Sequence, residues 1–240
     1  MYFDGSGDYL TVTVASGSAA NLSSGEFTVE LWFYTTVSSM QSLFQQGEHF
    51  WRLNCDTSNH IAWVVQGVVG ITSTNAFNLN SWNHVAVCKS GSTQTLYLNG
   101  INQGTTTTNP SNSNNDAVIG VNTASIGNVW YFTGFIGDVR IIKGVALYTS
   151  NFVPANAPLT AVRNTTLLLS GATAGVIDGT GTNNLQTVGD AKISTAVKKY
   201  GTGSMSFDGT GDYLKSNQPI NSLYQFSGDF TVEMWIRSGS

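Results

Sequence analysis

Along most of the chain, apolar and polar residues alternate with the two-residue period of strands that bury one face. The clearest run is Phe27-Thr28-Val29-Glu30-Leu31-Trp32-Phe33-Tyr34. Phe27, Val29, Leu31 and Phe33 share one face, while Glu30, Trp32 and Tyr34 share the other. That second face is too aromatic to be simply solvated. The same reading predicts strands at Tyr9–Val14, Ser42–Gln46, Phe50–Asn54, Ile61–Val65, His84–Lys89, Thr95–Leu98, Val118–Val121 and Gly134–Lys143. Asn99-Gly100 marks a tight hairpin, because both central residues of a type I′ turn need positive φ. Ser90-Gly91-Ser92 closes the hairpin before it, and Thr105 to Asn115 reads as a polar loop. No segment carries a helical stripe, and Val145–Ser150 would make little more than a turn. Many short strands with glycine-rich turns predict an all-β, antiparallel sandwich or jelly roll.

The pattern also repeats itself. Phe3-Asp4-Gly5-Ser6-Gly7-Asp8-Tyr9-Leu10 returns as Phe207-Asp208-Gly209-Thr210-Gly211-Asp212-Tyr213-Leu214. The strand at 24–33 returns at 227–236, ending Phe230-Thr231-Val232-Glu233-Met234-Trp235-Ile236. A period this long is a duplicated domain, since solenoid repeats recur every 20–50 residues or so. Residues 1–164 are therefore expected to form one unit lacking its first strands, and 165–240 to start a second tandem copy. Pro154 and Pro158 mark the boundary, and Thr166-Leu167-Leu168-Leu169 opens a new strand. Either 165–240 begins an incomplete second domain, or 165–206 fold back to complete the first. Burial of Leu167–Leu169 and Ile193 favours the fold-back.

Composition narrows the classes. Hydrophobic residues make up 41% and charged residues only 10%, against roughly 25% charged in an ordinary soluble domain. Ser, Thr, Asn and Gly must then coat the surface, which suits a virion or an extracellular or cell-surface location. The net charge of −4 argues against nucleic acid, which needs clustered Lys and Arg. No apolar run is long enough to insert in a membrane, and no basic-then-apolar segment marks a signal peptide. Cys55 and Cys88 lack metal-site spacing and read as free buried thiols or as one mutual disulfide. Gly5-Ser6-Gly7 opens no helix and has no Lys-Ser/Thr after it, so it is no phosphate loop.

Four segments in order carry a resemblance: Phe-Asp-Gly-x-Gly-Asp-Tyr-Leu from Phe3, Phe-Thr-Val-Glu-Leu-Trp from Phe27, Trp82-Asn83-His84-Val85-Ala86-Val87 running on through Leu96-Tyr97-Leu98-Asn99-Gly100, and Phe132-Thr133-Gly134-Phe135-Ile136-Gly137-Asp138-Val139-Arg140-Ile141. Together they resemble the laminin-G-like domains of the concanavalin A-like lectin/glucanase superfamily, as in tandem-repeat phage structural proteins or bacterial surface adhesins. The resemblance implies a jelly roll of two antiparallel sheets and a binding or adhesion role. Its partners would be a glycan or a neighbouring virion or surface protein, with self-association through exposed strands as a further contact.

The resemblance also includes hydrolases, whose Glu-x-Asp-x-x-Glu strand sets two carboxylates on one face. Only Glu26, Glu30, Glu48 and Glu233 are present, and none has Asp two positions later. No enzyme is expected. Asp4 and Asp138 are the metal candidates, because relatives hold a structural Ca²⁺ near the equivalent strands; Ca²⁺ would need carbonyls of the Gly5–Gly7 turn to reach 6–8 oxygens. The alternative for Asp4 and Asp8 is to organise that turn by side-chain bonds to the backbone. His84 is expected to pack, and His49 and His60 to lie on the surface or in loops. For a sugar platform the candidates are Trp130, Tyr131 and Trp51, with Trp63 more apolar in its surroundings; core packing is their competing role.

Overall fold

The computed structural model describes residues 1–12, 20–47, 50–111, 115–122, 129–169, 185–189, 191–194, 196–200, 204–216 and 228–238. It divides into two compact units, Met1–Gly171 and Ala172–Ser240. The described residues are all strand, turn and coil, with no helix among them.

In the first unit the strands run Tyr2–Asp4 (β1), Leu10–Val12 (β2), Phe27–Tyr34 (β3), Gln41–Gln46 (β4), Trp51–Cys55 (β5), Ile61–Val65 (β6), Val68–Thr72 (β7) and Trp82–Ser90 (β8). They continue with Thr93–Leu98 (β9), Ile101–Thr106 (β10), Ala117–Ile119 (β11), Val121–Asn122 (β12), Trp130–Tyr131 (β13), Thr133–Lys143 (β14) and Thr165–Leu169 (β15). One sheet has the order β1-β14-β3-β8-β9-β10, with β15 also on β14; the other has the order β2-β11-β4-β5-β6-β7. All pairings are antiparallel, which makes the unit a jelly-roll sandwich.

The core lies between the sheets, where alternation put it. Phe27, Val29, Leu31 and Phe33 of β3 meet Trp51, Leu53, Ile61 and Trp63 of the opposite sheet in one buried cluster. Burying each such side chain contributes roughly 1.5–3 kcal/mol. The Asn99-Gly100 turn forms as expected, with φ of 51° and 77°.

Several boundaries differ from the sequence reading. β1 and β7 were not expected. β7 follows Gln66-Gly67, which turns with φ of 51° and 77° although Gln is not a usual residue there. Thr105 and Thr106 belong to β10 instead of opening a loop. The run expected at Val118–Val121 breaks at Gly120, whose φ is +87° and where a Cβ would sit 2.5 Å from the Phe3 ring. Thr13, Val14, Glu48, His49 and the stretch Gly171 to Asn184 lie outside the described residues.

β14 carries two strands end to end on one edge. Tyr2–Asp4 pairs with Thr133–Phe135, and Thr165–Leu169 pairs with Val139–Ile142. The latter strand, which the repeat places at the front of the second copy, thus lies in the first unit. Between the two, an extra residue in β14 makes a bulge: Gly137 faces Trp32 while Arg140 faces Glu30. Asp138 is the bulged residue, with φ of +48°. The bulge shifts the alternation, so that Ile136 and Val139 both point into the core.

The second unit has four short strands among its described residues: Leu185–Val188 (β16), Lys192–Ser194 (β17), Ser204–Ser206 (β18) and Tyr213–Ser216 (β19). β16 pairs with β19 and β17 with β18, both antiparallel.

Candidate functional site

The outer face of the first sheet is divided in two by the chain that follows β14. From Val145 to Val162 this segment straps one half of the face. Thr28 Oγ1 donates to the Val145 carbonyl and accepts from Leu147 N–H. Tyr148 and Phe152 stack at 3.5 Å between ring centres and pack on Ala86, Cys88 and Tyr97. Phe152 N–H donates to the Gly100 carbonyl, which fastens the strap to the hairpin tip.

Under the strap lies a charged cluster. Glu30 is fully buried, and Arg140 donates to its Oε1 through Nε at 2.8 Å and also through Nη2. His84 Nε2 stands 3.1 Å from Oε2, and Tyr148 Oη donates to that same oxygen at 3.0 Å. The remaining Arg140 donor reaches the Thr160 carbonyl in the strap. Burial by itself would raise the Glu30 pKa; the hydrogen bond and charge of His84, then those of Arg140, outweigh it and hold the carboxyl below the usual carboxylate range. Burial, and then the negative charge of Glu30, push the Tyr148 phenol well above its ordinary value. This carboxylate is enclosed and fully paired. It locks strap to sheet and cannot meet a substrate.

The other half of the face is uncovered, and it is aromatic. Tyr2, Phe135, Tyr34 and Trp82 are successive cross-strand partners on β1, β14, β3 and β8. Their ring centres are 5.1 Å apart for Tyr2–Phe135, and 6.0 Å for both Phe135–Tyr34 and Tyr34–Trp82. Interplanar angles run from 50° to 74°, so the row is corrugated instead of flat. Tyr2, Trp82 and Phe135 expose 63%, 51% and 43% of their surface. One step along the strands the partner row is Gly137, Trp32 and His84. Gly137 leaves a floor for the far edge of the Trp82 indole, which passes 3.8 Å from where a Cβ would stand. Soluble proteins bury rings of this size by default; an ordered row of them in solvent marks a surface that meets something.

The residues expected from sequence are placed differently. Trp130 and Tyr131 form β13 and are half-buried beside the second sheet, with the Arg52 guanidinium 6.0 Å from the Trp130 ring centre. They are not part of the row. Trp51 is a correction: it is 1% exposed, contacts Phe44 and Trp63, and donates its indole N–H to the Ala20 carbonyl. A ligand cannot reach it. Trp63 is likewise core, donating to Gln94.

The structure does not bring Asp4 and Asp138 together. Asp4 faces Thr133, five residues short of Asp138, about 16 Å along the strand. Asp4 Oδ1 instead accepts Ser6 N–H at 2.7 Å, and Asp8 Oδ2 accepts Asp4 N–H at 3.1 Å. The carboxylates organise the turn, and the pair does not fit a shared Ca²⁺. Among the described residues no cluster of three His, Cys, Asp or Glu has metal-binding geometry. Cys55 and Cys88 are free and buried, in opposite sheets; burial pushes the Cys88 thiol up to about 12.

Reading the sequence missed Tyr2, Tyr34, Trp82 and Phe135 as a group. Tyr34 could be seen to lie opposite the core residues of its strand, and Phe135 begins the long apolar strand. Their alignment depends on the register of four strands, which a single sequence does not give.

The chain belongs to the concanavalin A-like lectin/glucanases superfamily, whose laminin G family model matches residues 4–147. Among solved structures it is similar to a Bacteroides ovatus protein named as a candidate carbohydrate-binding protein, at 16% identity and a TM-score of 0.58 over 90% of this chain. The match spans 59% of that protein. Mouse laminin α1 domains LG4–5 match at 17% identity and a TM-score of 0.46, over 67% of this chain and 48% of that one. A Ruminococcus gnavus sialidase module bound to α2,3-sialyllactose matches at 16% and 0.44, over 57% and 84%. At these identities the likeness is one of fold. No curated protein sequence matches the chain. No described helix is long and apolar enough to cross a membrane.

Proposed function

We propose that this protein is a non-catalytic recognition module that binds a glycan on the open half of its first sheet, within a larger repeat-bearing virion or surface protein. The observation that supports this is the solvent-facing row Tyr2–Phe135–Tyr34–Trp82. Aromatic faces stack on the C–H faces of sugars, and such rings bring large contact area at low entropic cost. The placement of the glutamates supports a non-catalytic role: Glu30 is enclosed in an ion pair, and Glu26 accepts from Ser90 at a strand end. A neutral polar coat and a duplicated domain accord with a virion or extracellular setting.

A second reading is supported by a separate observation. In the second unit Phe230, Val232, Met234, Trp235 and Ile236 are 61–84% exposed. An exposed apolar run of this kind suits packing against a neighbouring protein, as in a purely structural virion module. A glycan array separates the two. Saturable hits by the wild type, lost in Trp82→Ala and retained in Trp130→Ala, support glycan recognition by the row. Absence of any hit sinks it in favour of the structural module.

A further inference from the structure

We infer that the row takes an internal stretch of a soluble, uncharged glycan chain of equatorially substituted pyranoses, laid across the strands and engaging several sugar units at once. This inference rests on the glycan reading above and specifies its ligand.

Length comes first. The four rings belong to four adjacent strands, and neighbouring strands lie about 4.8 Å apart, so the row spans roughly 14 Å. One pyranose covers about one aromatic ring, so a single sugar leaves most of the row in water. An oligomer covers it all.

Openness sets which part of the chain binds. At one end Tyr2 sits on the edge strand β1, and among the described residues no further strand pairs with Tyr2–Asp4. At the other end the β9 hairpin turns at Asn99-Gly100, level with His84, so no described neighbouring strand continues past Trp82. A row that, among the described residues, no strand walls off at either end admits a chain that continues in both directions. Recognition of a terminal sugar would need a closed end.

Charge selects neutrality. The basic side chains of this face, Arg140 and His84, are turned beneath the strap onto Glu30. At the Tyr2 end the formal charges are Asp4, two residues along the same face of β1, with Asp8 bonded to it, and Asp138 at the bulge near the Met1 ammonium. Carboxylates outnumber cations there, and a uronate or sialate chain would be repelled.

The tilt of the rings excludes a flat ligand. Planes inclined at 50–74° to one another cannot lie on the plane face of a crystalline polymer. They follow a twisted single chain, and sugars whose hydroxyls are all equatorial offer C–H groups on both faces to meet them.

The test is isothermal titration of the full chain with β-linked glucose and xylose oligomers, from dimers to hexamers. Sialyllactose, oligogalacturonates and microcrystalline cellulose complete the ligand set. Affinity is expected to rise roughly tenfold for each further ring engaged, about 1.4 kcal/mol, and to level off near the tetramer. Tyr2→Ala and Trp82→Ala, each at an exposed end, should move that plateau to shorter oligomers while leaving the unfolding midpoint unchanged. Dimers binding as tightly as tetramers, or preference for the acidic oligomers or the crystalline polymer, would overturn the inference while glycan recognition stands. Binding of no glycan would overturn both.

Discussion

The chain contains the same two motifs twice, and the two copies behave differently. The glycine-rich turn forms in both. Ser6 N–H donates to Asp4 and Asp4 N–H to Asp8; Thr210 N–H donates to Asp208 and Asp208 N–H to Asp212. The paired glycines have φ of 89° and 82° in the first copy, 87° and 77° in the second. The following strand does not repeat. Phe27–Tyr34 is the strand between β14 and β8 with its inward face fully buried, whereas residues 229–238 have no assigned strand and are exposed. The turn is closed by bonds reaching four residues or fewer, so local sequence suffices. The strand needs two neighbours whose paired residues lie 48 to 116 positions later in the chain, and its sequence alone does not make it.

Substitutions in matched pairs would break this contrast most sharply at the core. Phe33→Ala should destabilise by about 3–5 kcal/mol, while its counterpart Ile236→Ala should change the free energy of urea unfolding by less than about 0.5 kcal/mol. Equal losses at both positions would mean that the second strand is packed after all. Next in size is the carboxylate. Glu30→Ala leaves Arg140 buried without its partner, at about 3 kcal/mol or more; Glu233→Ala, in an exposed stretch with no assigned strand, should be silent in the same denaturation series.

Acid should act through the first copy in the same way. Because the folded Glu30 pKa is depressed, its stabilisation is complete above the ordinary carboxylate value of about 4.3. It is lost as pH falls through the lower folded value. Stability measured from neutral pH down to acid should fall more gently in Glu30→Gln than in wild type, and an unchanged slope would assign acid sensitivity elsewhere.

The turns should respond alike. Asp8→Ala and Asp212→Ala remove the exposed hydrogen bonds to Asp4 N–H and Asp208 N–H, each worth about 1 kcal/mol at most, and should speed amide exchange at those two residues. The smallest effect concerns calcium. Adding Ca²⁺ or EDTA should leave the thermal midpoint in place, and a rise with Ca²⁺ would show that Asp4 or Asp138 finds ligands the present geometry does not supply.

What could be read in advance follows from the range of each interaction. The alternation of 27–34 located the core face, and Asn99-Gly100 located a turn, because both depend on nearest neighbours. Asp138 was a ligand candidate by resemblance to Ca²⁺-holding relatives, and its placement by a bulge is invisible until β14 is paired with β3. The three-residue step from Ile136 to Val139 was the trace it left in the sequence. Trp51 looked like a platform and proved to be core, since a strand tryptophan takes its side from the opposite sheet. The aromatic row was the least legible feature. Tyr34 and Phe135 stood in or at readable strands, Tyr2 stood in a strand the sequence did not show, and only register across four strands lines the rings up.

That assembly from distant parts of the chain has a mechanical consequence. A sugar polymer resting on Tyr2, Phe135, Tyr34 and Trp82 would lie at right angles to the strands and span three seams between them. It would act as an external batten, resisting the shearing apart of the sheet without entering the core. Occupancy should therefore protect β1, the short strand at the margin, from fraying before it shows in the melting of the whole sandwich.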